Sequence, residues 1–316
     1  MKAIRVSLVQ QQRKRSGLIH YLRHPLRRQD LLTGVAFLAP SALVLFFFVL
    51  LPVIMALILS FSEWDVLSRA PSLIGFRNYI DLLTGKKLWK ALENTLYFSA
   101  LKIPTDMALS LAIALLLNQK LKGLSFYRTA YFTPVITSVA AVSAIWRWIY
   151  EPNFGLANAL LEYIGLPAQT WLSDPKLAMP AVVLVALWKG LGYDVVIFLS
   201  GLQNIPAVYY EAAAVDGANP WQRFRHITLP LLSPVTYFVL VMSIINSFKV
   251  FAQIHVLTPE GGPLGSTKVM VFYVYELAFQ QFHFGRAAAV AFILFTIVLA
   301  ITFLQRWLIE PRVHYQ

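Results

Sequence analysis

The residues able to do chemistry in this 316-residue chain sit in unusual places. Lys102, Asp106, Lys189 and Asp194 interrupt long apolar stretches. Charges at membrane depth are rare and normally face a bundle interior. Lys102 and Asp106 are one helical turn apart, so a self-neutralising pair is expected, with Pro104 between them kinking the helix. Lys189 and Asp194 are five apart, about 140° around a helix, and need different partners. Tyr193, Asp194, Asn246, Ser247, Lys249 and Gln253 form a second, mostly neutral polar set. Such a set suits hydroxyl-bearing ligands or hydrogen bonds between helices, and both readings stand.

Other chemistries lack their residues. No G-x-x-x-x-G-K-S/T phosphate loop occurs, and Gly261, Gly262 and Gly265 read as a turn cluster. There is no cysteine, hence no disulfide and no thiolate-bound zinc or iron–sulfur cluster. His20 and His24 are four apart, but in a basic stretch that reads as solvated rather than metal-binding. Glu63, Asp65, Glu151, Glu162 and Asp174 have no Ser/His/Asp arrangement around them. Catalysis by this chain, a bound cofactor and a metal site are not expected.

The elements that must position these residues follow from composition. Hydrophobic residues make up 58% and charged residues 13%, about half the charge of a soluble protein. Much of the surface must therefore face lipid. Six apolar runs are long enough to cross a bilayer, at about 20 residues each: 31–62, 94–117, 129–150, 177–200, 233–257 and 284–305. They lack period-two alternation, which leaves helices rather than a barrel. The expected fold is an all-α membrane protein of six transmembrane helices. The first run is too long and too far from the N-terminus to read as a cleaved signal peptide.

The net charge of +12 resolves into an orientation signal. Of 27 Lys and Arg residues, 15 fall on the side holding residues 1–30, 118–128, 201–232 and the tail, seven on the other, and five within spans. Both termini are expected in the cytoplasm. The basic excess calls for lipid and topology, not nucleic acid. The expected organisation is a basic cytoplasmic segment 1–30, a six-span domain 31–306 and a cytoplasmic tail 307–316. Residues 1–30 could also lie on anionic headgroups.

Residues 201–232, between spans four and five, are longer than a simple connection requires. NIPAVYYEAAAVDGANPWQRFRHITLPLLSP predicts one helix over 207–216, opened by Pro206 and ended by Gly217. Asn219-Pro220 caps a second short helix, stopped by Pro230 and Pro234. The three alanines Ala212, Ala213 and Ala214 permit close approach of another surface. Tyr209, Tyr210, Trp221 and Phe224 offer the aromatic area common at interfaces. Asp216 sits where the helix dipole disfavours an anion and needs a partner. By composition alone, a hairpin lying on the membrane is the favoured reading, since surface-lying amphipathic helices are common.

The spacing Glu211-Ala212-Ala213, three residues, Gly217, nine residues, Ile227-x-Leu229-Pro230 resembles the EAA loop of permease subunits in ATP-binding-cassette importers. Seven fixed positions coincide by chance on the order of 10⁻⁸ per starting point at average residue frequencies. WKGLGYDVVIFLSGLQNIP, NSFKVFAQIHVLTPEGGPLGSTKV and YELAFQQFHFGRAAAVAFILF are similar to the carbohydrate-uptake branch, the maltose and glycerol-3-phosphate type. There Thr258 is followed by Pro259 and Glu260 before Gly261-Gly262-Pro263, a loop-length departure from the branch's T-x-G-G-P. The resemblance covers about residues 30–310.

The resemblance implies partners. Glu211, Ala212, Ala213, Asp216, Gly217, Ile227, Leu229 and Pro230 would form the coupling helix seated in a groove of an ATPase dimer. ATP and Mg²⁺ would be used there, not by this chain. A second, homologous permease would complete the pathway, and an extracytoplasmic solute-binding protein would deliver the small-molecule solute. Spans four and five would line the path for a sugar, polyol or glycoside, in the cytoplasmic (inner) membrane. The rival reading is an ion-gradient-driven secondary transporter relaying through Lys102, Asp106, Lys189 and Asp194.

Overall fold

The computed structural model describes residues 25–64, 71–119 and 123–310. Among the described residues the regular structure is helical apart from one short antiparallel pair, β1 (Ser62–Glu63) with β2 (Ser72–Leu73), in register Ser62 to Leu73. The segment 1–24, with its histidine pair, and the last six residues of the tail lie outside the described residues.

Two units divide after Ile58. The described part of the first belongs to one helix, α1, built of Pro25–Leu45, a π-helical turn at Phe46–Leu50 and Leu51–Ser60, whose last two residues fall in the second unit. Over an 18-residue window of its Leu32–Ser60 stretch the mean hydropathy is 3.1, and none of that window is buried, the pattern of a lipid-immersed helix.

The second unit carries the remaining helices: α2 (Arg77–Thr84), α3 (Lys86–Leu117), α4 (Leu124–Ile136), α5 (Val139–Ile149), α6 (Leu156–Tyr163) and α7 (Ala178–Gln203). After them come α8 (Ala207–Val215), α9 (Pro220–Leu231), α10 (Ser233–Phe248), α11 (Ala252–Leu257), α12 (Met270–Tyr275) and α13 (Phe284–Leu308). Helices α3 and α7 pack along each other at the centre. Three apolar clusters fill the unit. One joins Phe98, Met179 and Val182 to Ile254 and Phe272; a second joins Leu88 and Phe248 to Met270 and Val290; a third joins Ala114, Phe198 and Leu202 to Leu232 and Val239.

Among the described residues four helices are long and apolar enough to span a bilayer singly, and two bent pairs bring the possible total to six. The structure corrects three expectations about these segments. The span expected over 129–150 is broken at Thr137 and Ser138, and α4 and α5 meet at 108°. Both break residues have extended backbone (ψ 154° and 131°), which ends one helix and caps the next. The span expected over 233–257 stops at Phe248 and resumes as α11, across an irregular 249–251. Pro230 lies inside α9, and Pro234 opens α10 rather than ending the preceding helix; the two meet at 65°. By contrast α3 runs through Pro104 without interruption.

One close approach shows why α7 carries a glycine where it crosses α4. A β-carbon built on Gly192 would overlap the Tyr131 carbonyl oxygen. Only the missing side chain lets the two backbones touch.

Candidate functional site

Two places gather the residues singled out in the sequence: a cavity between α3, α4, α7 and α10, and the α8–α9 knob.

The cavity has a volume of about 350 Å³. Tyr193, Asp194, Asn246, Ser247 and Gln253 all line it, joined by Phe98, Lys102, Val135, Lys189, Gly190 and Ser243. Tyr193 and Asp194 come from α7, Asn246 and Ser247 from the last turn of α10, and Gln253 from α11 beyond the break. The interruption at 249–251 is what turns Gln253 toward the same space. Lys249 is the exception: it is exposed and does not line the cavity.

Ionic groups form the cavity's floor. Lys102 Nζ donates to Asp106 Oδ2 at 2.5 Å, the expected i, i+4 pair, with Asp106 fully buried. Asp194 faces the same pair and stands beside Asp106 and Ser243. Ser243 Oγ makes no well-aligned hydrogen bond, and Ser247 Oγ is buried without a partner among the described residues. Lys189 takes a different role, as its spacing required. Its ammonium donates to the carbonyls of Pro134 and Val135 at 2.9 and 3.0 Å. Those carbonyls belong to the broken end of α4, where the helix dipole is negative and the i→i+4 ladder has stopped; the Thr137 hydroxyl also donates to Pro134, at 2.6 Å.

Lys102, Lys189, Ser243 and Phe98 are cavity residues that the polar set of six did not include. Helical spacing holds the signal. Lys189 precedes Tyr193 by four and Ser243 precedes Ser247 by four, so each shares a face with a member of the set, and Phe98 precedes the intramembrane charge Lys102 by four.

In the knob, α8 ends in a left-handed turn. Gly217 has φ +75°, the Ala218 N–H donates to the Ala213 carbonyl at 2.9 Å, and the Gly217 N–H donates to Ala214 at 3.1 Å. That is a glycine C-cap. Asn219 and Gln222 make a reciprocal capping box at 2.9 and 2.8 Å that starts α9. Arg223 Nε donates to the Ala218 carbonyl at 2.8 Å, and the Tyr210 hydroxyl bonds Thr228 Oγ1 at 2.9 Å. The hairpin is therefore internally fixed.

Its surface divides in two. Ile227 packs with Tyr210, Leu231 and Val235 onto the Leu202 and Leu232 cluster. Pro230 is half-buried where α9 ends, and Leu229 beside it stays partly exposed. Glu211, Ala212, Asp216 and Gly217 are exposed, and Ala213 is partly so. Tyr209, Val215 and Trp221 extend the exposed apolar area, with Val215 88% and Trp221 65% accessible. Among the described residues Glu211 and Asp216 form no ion pair. A rigid hairpin thus anchors one edge in the bundle and presents the other uncovered.

The model for the family described as binding-protein-dependent transport system inner membrane component matches residues 16–315. The chain belongs to that family. The permease is 38% identical over 293 residues to the probable ABC transporter permease protein YesP of Bacillus subtilis, covering 92% of this chain and 94% of that protein. It is 32% identical over 284 residues to the trehalose/maltose transport system permease protein MalF of Thermococcus litoralis, covering 89% and 95%. A solved bacterial ABC transporter involved in the import of the acidic polysaccharide alginate has a chain with a TM-score of 0.77 to this one, at 25% identity over 89% of this chain and 97% of that chain. The permease is thus a multi-pass inner-membrane component of an ATP-binding-cassette importer. It is not the ATPase, and it works in a binding-protein-dependent system.

Proposed function

We propose that the permease forms half of the translocation path for a sugar or a related polyol or glycoside, with the cavity between α3, α4, α7 and α10 as its solute-facing wall. Tyr193, Asn246, Ser247, Gln253 and the Asp194 edge would take the solute's hydroxyls, and Tyr193 and Phe98 supply aromatic faces. The carbohydrate named for the maltose relative, and the alginate of the solved importer, support this class.

Six spans would carry the chain across the membrane with both termini in the cytoplasm, each bent helix pair contributing one crossing. A second homologous permease would supply the other half of the path. The α8–α9 hairpin would dock on an ATPase dimer through Glu211, Ala212, Ala213, Asp216 and Gly217, while Ile227, Leu229 and Pro230 set its angle to α10. ATP and Mg²⁺ act in that partner. An extracytoplasmic solute-binding protein would load the cavity from outside. Transport then requires a two-state rearrangement biased from both ends.

The observation that carries this reading is the hairpin: its capped turn and inner edge are fully used, and its motif face is left uncovered. The test is uptake into proteoliposomes holding the full importer. Uptake that needs internal ATP and external binding protein supports the proposal. Uptake driven by an ion gradient without either would overturn it in favour of a relay through the buried Lys and Asp residues.

A further inference from the structure

Five of the seven Lys and Arg residues on the expected outer side fall between Arg69 and Lys90. That density runs against the usual bias of basic residues toward the cytoplasmic side. The structure places part of this run around a recess of about 350 Å³ at the start of α3.

Lys86, Lys87 and Arg286 line it, with Tyr273, Gln281 and a single carboxylate, Asp81. Arg286 approaches Asp81 at 3.5 Å. Lys86 and Lys87 have no ion-pair partner among the described residues, so the recess carries uncompensated positive charge. Glu276 nearby is paired with Lys268 at 2.5 Å.

The helix end adds donors. Gly85 offers no side-chain cap, and the N–H groups of Lys86, Lys87 and Leu88 meet no acceptor among the described residues. The N-terminus of a 32-residue helix concentrates positive partial charge there. A second observation points independently to a ligand. Tyr273 is 95% buried, at 5% exposure, in the wall of the recess, and its hydroxyl has no hydrogen-bond partner among the described residues. Burial, and then the Glu276 carboxylate, push its pKa up, so the hydroxyl remains a donor.

Location decides the ligand's source. A helix of 32 residues is about 48 Å long, well beyond a hydrocarbon core of about 30 Å. Its first turns therefore stand at headgroup level. Trp89, 53% exposed, with its indole N–H on the Leu83 carbonyl at 2.8 Å, and Lys90 mark the same level.

We propose that this recess binds the phosphate of an anionic lipid headgroup in the outer leaflet, held by Lys86, Lys87, Arg286, the Tyr273 hydroxyl and the open N–H groups of α3. The leaflet assignment rests on the orientation given under the proposed function; the phosphate chemistry does not.

The test uses the full importer in nanodiscs of mixed phosphatidylglycerol and phosphatidylcholine, with lipid retained after mild detergent extraction counted by native mass spectrometry. Preferential retention of phosphatidylglycerol is expected, reduced about tenfold in Lys86→Gln/Lys87→Gln and severalfold in Tyr273→Phe, the change that spares packing. Inorganic phosphate is the second probe. If it displaces the lipid, both share one site. If it protects Lys86 and Lys87 from amine labelling while no lipid is retained, the site takes free phosphate and the lipid assignment is overturned. Equal retention of both lipids in wild type and variants, without phosphate protection, overturns the site itself. So does unchanged retention with lost stimulation of ATP hydrolysis by the binding protein, which would make the recess a protein contact. A maleimide reaching Lys86→Cys only from the cytoplasm would sink the orientation while leaving lipid selectivity readable.

Discussion

Lys189, near the middle of α7, holds the broken end of α4 by donating from its ammonium to the Pro134 carbonyl at 2.9 Å and to Val135 at 3.0 Å. A lysine that reads in sequence as a stray membrane charge is the cap of a helix 55 residues away in the chain. It thereby fixes the Thr137–Ser138 corner that forms one side of the cavity. Lys189→Met would leave the Val135 carbonyl without its side-chain donor, at about 1–3 kcal/mol, while the Pro134 carbonyl keeps the Thr137 hydroxyl at 2.6 Å. The expected result is a lower melting temperature of the detergent-solubilised permease and loss of uptake, with partial recovery in Lys189→Arg. Wild-type melting and uptake in Lys189→Met would show that the cap carries no weight.

Gly192, three residues on, should be intolerant for a different reason. Its backbone touches the Tyr131 carbonyl, and overpacking a close crossing costs about 1–3 kcal/mol. Gly192→Val is expected to lower expression and melting temperature, whereas Gly190→Ala, with open space around its α-carbon, is expected to do neither. Equal behaviour of the two would count against the close crossing.

At the knob, Gly217 has open space around its α-carbon but a left-handed backbone. A leucine there costs about 1–2 kcal/mol of local strain, and its β-carbon meets no described atom within 4 Å. Membrane insertion of Gly217→Leu and Glu211→Lys should persist while ATP-driven uptake is lost, through weaker ATPase association or uncoupled hydrolysis. Full uptake with normal ATPase recovery in both variants would defeat docking at this face. Rescue of Glu211→Lys by a reversed charge in the ATPase groove would be strong support.

The cavity separates two residues that are neighbours in sequence. Asn246 lines it and Lys249 does not. Asn246→Ala is expected to weaken solute-dependent uptake by about tenfold, the value of one lost buried hydrogen bond, and Lys249→Ala to change it little. Equal effects from the two, measured as KM for uptake, would argue that this wall only packs helices.

Topology is open to direct labelling, because the chain has no cysteine. Val215 and Leu264, 88% and 92% exposed, make suitable single-cysteine sites. Val215→Cys should react only from the cytoplasmic side and Leu264→Cys only from outside. The reverse pattern, or reaction of both from one face, would remove the six-span arrangement.

Sequence alone determined whatever depends on composition and on spacing within one helix. The charge deficit and long apolar runs required lipid-facing helices, and the runs around α3, α7 and α13 were legible because a span needs length and hydropathy before it needs neighbours. The Lys102–Asp106 pair was legible because four residues close one turn. So were the Gly217 stop and the Asn219 cap, whose geometry is local.

Tertiary structure decided the rest. Extended residues at Thr137–Ser138 split an apolar run that hydropathy reads as continuous, and the break is tolerated because Lys189, distant in sequence, donates to the Pro134 and Val135 carbonyls, with the Thr137 hydroxyl also on Pro134. The interruption after Phe248 has the same character: hydropathy does not register it, yet it turns Gln253 into the cavity and leaves Lys249 outside. Residues 190–194 show the division in five positions. Their helix was plain from the pattern, but only the approach of Tyr131, the Lys102–Asp106 pair and Ser243 gives Gly192 and Asp194 their roles. Those contacts come from other helices, and no periodicity within one segment encodes them.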